Sequence, residues 1–448
     1  MNRTIQSNSY RSYSKSLLKK WTAYFEDNRQ PDESFLIGNL RKCLNEFRDF
    51  ALAFDAKAWE LAEQDKIFKS LSEKEKENFH VWLDEKINKA LDVYWAPLSQ
   101  AATQYTSPGY KDQLENLKSL EPKIKGFLET INQLVGTAGD AAITINDLLL
   151  FFDELTLIRL APYTRMALIG ISFRVFDSES SNDDTLAGIA HELGHFLYWR
   201  LDDFDQLDLK HNKILEAVSE SLKNRLTEER QQLEIRFIKA WFEELFADFI
   251  GANIAKDIYI KSSKAMVIRS NKLSSRSGNN DQKHVSDILR PLVGIYTVNK
   301  IQENSLGIWR KFLNDDFPVD PSTIMIKVIR ENKNQKNIER SAEELSQILL
   351  HTIDVFFSEI KNTSGNGLFH PHFSNIANVE MLSRKAVRLA GKLTDKNRHT
   401  SEENTDNELS ALDIFLEPQT LEAGKEAHSH TVTTLAHDYS FTAWHVDL

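Results

Sequence analysis

The sequence predicts a mainly helical α+β fold with a small sheet, flanked by helical N- and C-terminal regions. Apolar residues recur at three- and four-residue spacing over most of the chain, which is typical of amphipathic helices. Residues 166–176 are instead rich in β-branched and aromatic side chains and indicate a strand. The length of 448 residues favours more than one domain. We expect a helical domain at 1–138, a core at 139–300 with a helical insertion at 202–239, a helical region at 301–426 and a tail at 427–448.

The N-terminal region is predicted to be helical from about Leu17 to Leu134. Phe47, Phe50 and Phe54 fall on one helical face, with charged residues between them. Ser72 is followed three residues later by Glu75, which is the pattern of a capping box at a helix start.

The central region begins with the predicted strand at 166–176, and a polar loop follows. We expect Asp184 or Thr185 to cap the helix that carries His191 and His195. A long charged helix is predicted at 216–255. Residues 261–283 are polar and are expected to form a loop.

Further helices are predicted at 285–312, 341–360 and 378–393, and the last residues have no clear structural partner. The segment Ser440–Val446 is apolar and β-prone, which suggests the hypothesis of an inhibitory tail. Deleting the residues after Glu426 would then raise activity, whereas a frayed or surface-packed tail would leave it unchanged.

Composition excludes several classes of function. The net charge of −11 argues against binding to nucleic-acid phosphates. The single cysteine, Cys43, rules out an internal disulfide and a cysteine-rich metal site. The N-terminal segment lacks an apolar signal core, and the apolar run at Leu148–Phe152 is far shorter than the roughly 20 residues of a membrane span. We therefore expect a cytoplasmic protein that binds neither nucleic acid nor membrane; the sequence leaves its oligomeric state open.

The segment His191-Glu192-Leu193-Gly194-His195 carries the chemistry. Residues four apart lie on one face of a helix, so both imidazoles can bind one ion. Zn²⁺ is the metal that such nitrogen ligands suit. Glu192 lies next to this row and can take a proton from a zinc-bound water, while Gly194 leaves room beside the site.

A catalytic zinc usually has three protein ligands, and the third is expected downstream. Glu244 is 49 residues after His195, and Asp248 shares its helical face. Glu244 is the predicted ligand, and Asp248 would hold a ligand histidine by a hydrogen bond. Glu243 is the alternative ligand, but it has no aspartate four residues on. Ala247 is small enough for the two helices to pack closely.

These two motifs resemble the zincin metallopeptidases, and in particular the gluzincin type, whose third ligand is glutamate. The resemblance covers about residues 161–297, roughly a third of the chain. It implies zinc on His191, His195 and Glu244, with Glu192 as the general base. It also implies that the strand near Ile169 is an open edge that holds an extended peptide. The long separation of the two motifs departs from compact members, and the insertion between them suggests a lid.

Peptide hydrolysis also needs a donor for the oxyanion. His284 with Arg290 is the predicted pair, because the two residues flank a helix start. The sequence leaves other donors open, namely His370, Tyr163 and Tyr198, and each of these residues alone is more often structural.

The sequence thus predicts a zinc metallopeptidase, a regulated intracellular protease of narrow specificity whose partner is a peptide or protein substrate. Two alternatives stay open: a non-catalytic interaction protein with a zincin-like fold, and a zinc hydrolase of a non-peptide substrate.

Overall fold

The protein is described by a computed structural model. The described residues are 9–27, 34–136, 142–153, 157–161, 163–172, 181–200, 216–221, 228–270, 287–317, 320–329, 338–364 and 375–399. The helices are α1 (Ser9–Asp27), α2 (Phe35–Gln64), α3 (Lys66–Ser70), α4 (Glu73–Thr106), α5 (Lys111–Ser119), α6 (Glu121–Val135), α7 (Ser181–Arg200), α8 (Glu228–Ala255), α9 (Asp257–Ser270), α10 (Arg290–Asn299), α11 (Gln302–Asp316), α12 (Ala342–Ser364) and α13 (Asn375–His399). The strands are β1 (Leu148–Asp153), β2 (Leu157–Leu160), β3 (Ala167–Ser172), β4 (Met325–Ile329) and β5 (Ile338–Ser341).

The predicted fold class holds at the level of a mainly helical protein with a small sheet. The helical N-terminal region is confirmed, because α1 to α6 fill it. The capping box at Ser72 is also confirmed: its backbone N–H donates to Glu75 Oε2 at 2.7 Å. No helix among the described residues combines the length and the apolar character needed to cross a bilayer.

Strand β3 is the central strand of a three-stranded sheet. It pairs in parallel with β1 and antiparallel with β2, in the order β1-β3-β2. The predicted strand near Ile169 therefore exists, but the expectation that it is an open edge is wrong. Ile169 is paired on both sides, with Leu150 and Ile158. The edge strands are β1 and β2.

The sheet separates two hydrophobic cores, because successive side chains of a strand point to opposite faces. Leu148, Leu150 and Phe152 point into what we call the metal-site core, formed by α6 to α12. Leu149 and Phe151 point into the helical core, which α1, α2, α4 and α13 form. Both cores combine segments that are distant in sequence; the domain boundaries stay predictions.

The outer edge of β1 is closed by side chains of the N-terminal helices. Gln104 Nε2 donates to the carbonyl of Phe152 at 2.7 Å, and the N–H of Phe152 donates back to Gln104 Oε1 at 2.8 Å. Asn39 Nδ2 donates to the Leu148 carbonyl at 2.6 Å, and the Tyr105 hydroxyl donates to that of Leu150. These bonds satisfy backbone groups that a further strand would otherwise use.

Two expected boundaries are wrong. The helix with the histidines begins at Ser181 and not at a cap at 184 or 185, so Asp184 lies in its first turn, where carboxylates favour the helix dipole. The polar segment predicted as a loop from residue 261 is helical up to Ser270, because Ser263, Met266 and Val267 are buried against neighbouring helices. Residues 271–286 lie outside the described part of the chain.

The predicted insertion at 202–239 is described only in part. Residues 216–221 are helical, and α8 begins at Glu228. Val218 is fully buried in the metal-site core, and Ser221 Oγ lies 2.7 Å from Nε2 of His351 in α12. Both contacts attach this short segment to the body of the protein.

Candidate metal centre

The site forms where α7 and α8 pack against each other. The close approach occurs at Gly194, where a Cβ atom would lie 2.6 Å from the Cα of Ala247 and 2.7 Å from its carbonyl oxygen. Any larger side chain would meet backbone, which cannot move aside without displacing a helix. Gly194 and Ala247 thus bring His191 and His195 up to the carboxylates of α8.

Three side chains converge on one point. The Nε2 atoms of His191 and His195 are 3.0 Å apart. Glu244 places Oε2 at 3.5 Å from Nε2 of His191 and Oε1 at 3.4 Å from Nε2 of His195. The three residues are buried, and one potential ligand atom from each lies within 4.8 Å of the others. This group could hold a metal ion.

A second row of carboxylates holds the imidazole rings from behind. Nδ1 of His191 lies 2.9 Å from Oδ1 of Asp248, and Nδ1 of His195 lies 3.1 Å from Oε1 of Glu243. Because a carboxylate only accepts hydrogen bonds, the bond to Glu243 favours the tautomer of His195 with the proton on Nδ1. The contact of His191 with Asp248 has the distance of an ion pair but lacks hydrogen-bond geometry. In this tautomer the Nε2 lone pair of His195 faces Glu244. The alternative ligand Glu243 is thereby placed behind His195, on the side away from this point.

Arg290 and Tyr259 fix Asp248 in turn. The guanidinium donates from Nε to Oδ2 of Asp248 at 2.9 Å, and its Nη2 lies 2.8 Å from Oδ1. The same Nη2 donates to Oε2 of Glu244 at 3.2 Å. The Tyr259 hydroxyl donates to Oδ1 of Asp248. Arg290 therefore bridges the candidate metal ligand and the carboxylate behind His191.

These contacts shift the ionisation of the buried groups. Burial works to lower the pKa of His195, but Glu244 and Glu243 outweigh it and raise this pKa well above its usual range. Burial works to raise the pKa of Asp248, but Arg290 and then His191 outweigh it and lower this pKa. Arg290 thus keeps Asp248 charged, and the carboxylates beside His195 favour positive charge on its ring.

Glu192 is fully buried next to the first histidine, and no hydrogen bond meets either of its oxygens. Burial raises its pKa well above the usual range, and the nearby positive charge of His195 only partly opposes this. The backbone of Ile158 in β2 also favours the charged form, but its contact falls short of hydrogen-bond geometry. A buried carboxyl without hydrogen bonds lowers the stability of the fold, and such groups are rare in folded proteins.

The charges fit a divalent cation. Among the described residues of the site, Glu243, Glu244 and Asp248 face one permanent cation, Arg290. A metal ion would require both imidazoles to be neutral, and it would therefore displace the proton that Glu244 and Glu243 favour on His195. With neutral imidazoles and a neutral Glu192, the charge of three ionised carboxylates would meet the one positive charge of Arg290. Two further positive charges would balance them, and buried charges without a counter-charge are strongly unfavourable.

The predicted oxyanion donors lie in different parts of the structure or outside the described residues. Arg290 is 1% exposed and its guanidinium donates to Asp248 and Glu244. Its role as an oxyanion donor stays a prediction. Tyr163 belongs to the helical core, on the other face of the sheet. Tyr198 is buried against Phe242 and Phe246. His284 and His370 lie outside the described residues, as do residues 440–446 of the proposed inhibitory tail.

Sequence reasoning missed the part played by Tyr259 and assigned Glu243 only as a ligand. A weak sequence signal existed for Tyr259, since two glycines make room for its ring. A Cβ at Gly251 would lie 2.8 Å from Cε2 of the tyrosine, and one at Gly294 would lie 3.2 Å from Cδ1. Neither glycine identifies its partner until the helices are packed.

No protein-family model, curated protein or solved structure matches this chain.

Proposed function

We propose that the protein is a zinc-dependent metallopeptidase with a zincin-like core. The observation that carries the proposal is the buried group of His191, His195 and Glu244, with the unbonded carboxyl of Glu192 beside it. A purely structural role for this group would leave no reason to bury Glu192 without a hydrogen bond.

Zinc is the ion that this donor set suits. Two imidazole nitrogens and one carboxylate are a common protein ligand set for catalytic zinc, which keeps a further position open. When bound, zinc supplies a Lewis acid that polarises the scissile carbonyl and makes water acidic enough to react near neutral pH.

The residues of the chain divide the remaining work. Glu192 accepts the proton of the attacking water and delivers it to the leaving amine. Its raised pKa in the metal-free protein falls when a cation binds nearby, because positive charge favours the carboxylate form. Asp248 and Glu243 keep the two imidazoles oriented with Nε2 towards the site.

The sheet edges support a peptide as the substrate. An extended peptide binds to a sheet by adding a strand to an edge. The edge of β1 is capped by Gln104, Asn39 and Tyr105, whereas β2 runs beside α7, with Ile158 at the carboxyl of Glu192. A peptide added to β2 would therefore pass the proposed general base. Because the histidines and Glu192 are 0% exposed, a substrate must first displace covering residues, which supports narrow specificity.

A second candidate is a structural metal site in a non-catalytic protein. The complete burial of the group favours it, because a buried site gives a substrate no direct access; the three ligands argue against it, because structural zinc sites usually have four protein ligands. The two candidates differ in what they require of Glu192, which is a base in the first and has no task in the second.

The decisive experiment compares wild-type protein with Glu192→Gln and with Glu60→Gln, an exposed control on α2. Metal content is measured by plasma mass spectrometry, and cleavage by sequencing the new termini formed in a proteome-derived peptide library. We expect about one zinc per chain in all three proteins and a loss of cleavage of about 10²- to 10⁴-fold in Glu192→Gln alone.

Cleavage by Glu192→Gln at the wild-type rate would contradict the enzyme proposal, and zinc without any cleavage would favour the structural site. If the zinc-loaded protein hydrolyses other amides or esters but no peptides, the non-peptide hydrolase is the correct assignment.

A further inference from the structure

Arg290 occupies an unusual position for a buried cation, because it touches a candidate metal ligand directly. Its Nη2 donates to Oε2 of Glu244, the oxygen that also lies 3.5 Å from Nε2 of His191. The same nitrogen lies 2.8 Å from Asp248, and the side chain is 1% exposed. The guanidinium and a metal ion would thus share the same two carboxylates as counter-charges.

The energetic consequence depends on whether the ion is present. Without it, Arg290 is the permanent cation that contacts both Glu244 and Asp248, and His195 adds positive charge beside Glu244 alone. Removing Arg290 would leave both carboxylates buried with less positive charge. With the ion bound, the carboxylates have a second counter-charge, and the two cations repel each other. Arg290 therefore stabilises the metal-free fold more than the metal-loaded fold.

We propose that Arg290 is a positioning residue that stands in for the metal charge, keeping Glu244 and Asp248 in place until the ion binds. This inference rests on the metal-binding part of the proposed function and not on peptide hydrolysis. It means that the site is assembled before loading, so binding of the ion need not be coupled to folding of α8 and α10.

The packing around Arg290 supports a preassembled site. The residue is the first of α10, and Pro291 follows it at the start of that helix. Tyr259 from α9 bonds the same carboxylate, and the indole N–H of Trp309 in α11 donates to the carbonyl of Ile288 at 2.9 Å, just before Arg290. Three helices other than α7 and α8, namely α9, α10 and α11, thus hold the guanidinium in position.

The test uses the full-length protein with three substitutions. Arg290→Gln removes the charge, Arg290→Lys retains it, and Tyr259→Phe removes a neutral hydrogen bond to Asp248 without changing charge. Melting temperatures are measured by calorimetry after treatment with EDTA and again after reloading with zinc chloride. Zinc affinity is measured by competition with a chromophoric chelator.

We expect Arg290→Gln to lower the melting temperature of the EDTA-treated protein by about 3–5 °C, given a chain of this length. After zinc loading the deficit should shrink to less than half, because the ion replaces the missing charge. By linkage, zinc then stabilises this variant more than the wild type. Without metal, the melting temperature of Arg290→Lys should stay close to that of the wild type. Tyr259→Phe should lower the melting temperature by the same small amount with and without zinc.

Equal deficits for Arg290→Gln with and without zinc would overturn the proposal, because simple packing loss acts equally in both states. An unchanged melting temperature in EDTA would overturn it as well. If Arg290→Gln is recovered only in the presence of zinc, its unfolding on addition of EDTA, while the wild type stays folded, supports the proposal. If folded Arg290→Gln cannot be recovered with or without zinc, and Arg290→Lys is also unfolded in EDTA, the result contradicts the proposal.

The outcomes separate this inference from the proposed function. Zinc binding with the expected charge dependence but no peptide cleavage would leave the role of Arg290 intact and reject the peptidase. Peptide cleavage, together with a stability that does not depend on the charge at position 290, would support the peptidase and reject the role proposed for Arg290.

Discussion

The two cores on opposite faces of the sheet bury different kinds of side chain. The helical core is lined with apolar groups, and the charged side chain that α2 and α4 bury among the described residues is Lys86. Among the described residues, the metal-site core encloses six histidine, acidic and arginine side chains at under 5% exposure: His191, Glu192, His195, Glu244, Asp248 and Arg290. The metal-site core therefore contributes less to the free energy of unfolding than an apolar core of the same size would.

An apolar core stabilises a fold by burial alone, whereas buried charges must be paired and hydrogen-bonded to avoid a net cost. The metal-site core meets that cost by mutual pairing in part: both oxygens of Glu192 lack hydrogen bonds, and Nδ1 of His191 has only an ion-pair contact with Asp248. The helical core therefore stabilises the fold and closes the β1 edge, while the metal-site core contains the buried charged groups of the candidate metal centre.

The largest effects are expected from two matched substitutions that each create a cavity, one in each core. Phe50→Ala empties a fully buried site in the helical core, and Phe246→Ala does so two residues after Glu244. Each should lower the free energy of unfolding by about 3–5 kcal/mol, measured by chemical denaturation. Only Phe246→Ala should weaken zinc binding. An equal loss of zinc affinity in Phe50→Ala would show that the two cores are not energetically separate.

A smaller effect is expected where α7 and α8 touch. Gly194→Ala would place a methyl group against the Ala247 backbone, costing about 1–3 kcal/mol, more than the helix propensity gained. Because the helices must move apart, zinc affinity should fall about tenfold or more, as measured by calorimetric titration.

The control is Gly38→Ala in α2, where a Cβ would have no neighbour within 4 Å. It should raise the free energy of unfolding by about 0.5–1 kcal/mol and leave zinc binding unchanged. Unaltered zinc affinity in Gly194→Ala would mean that the close helix contact does not set the ligand geometry.

The smallest effect concerns a half-buried carboxyl in α4. Burial raises the pKa of Asp92 to about 6. The folded protein then binds this proton more tightly than the unfolded chain, so the contribution of Asp92 to stability falls as pH rises from about 4 to about 6. Asp92→Asn should raise the free energy of unfolding at pH 7.5 by less than about 1 kcal/mol, because solvent screens the group, and the melting temperature should rise slightly. At pH 4 the two proteins should melt together, and a gain that is equal at both pH values would argue against titration of Asp92.

Local patterns in the sequence predicted local structure well. The capping box at Ser72 and the amphipathic helices of the N-terminal region were recognisable because their interactions join residues three or four apart. One of the two boundary errors occurred where tertiary burial overrides composition. The polar segment that follows residue 261 is helical because Met266 and Val267 pack into the core, whatever its exposed residues favour.

The sequence by itself determined that His191 and His195 share a helical face beside Glu192, because helix geometry follows from spacing alone. The same rule put Glu244 and Asp248 on one face. Tertiary structure decided the remainder: the place of Ile169 in a central strand, the position of Glu243 behind His195, and the arrival of Arg290 from a third helix. These contacts join residues about 40 or more positions apart, or neighbouring strands of a sheet, and their distances are set by packing, which no spacing rule encodes.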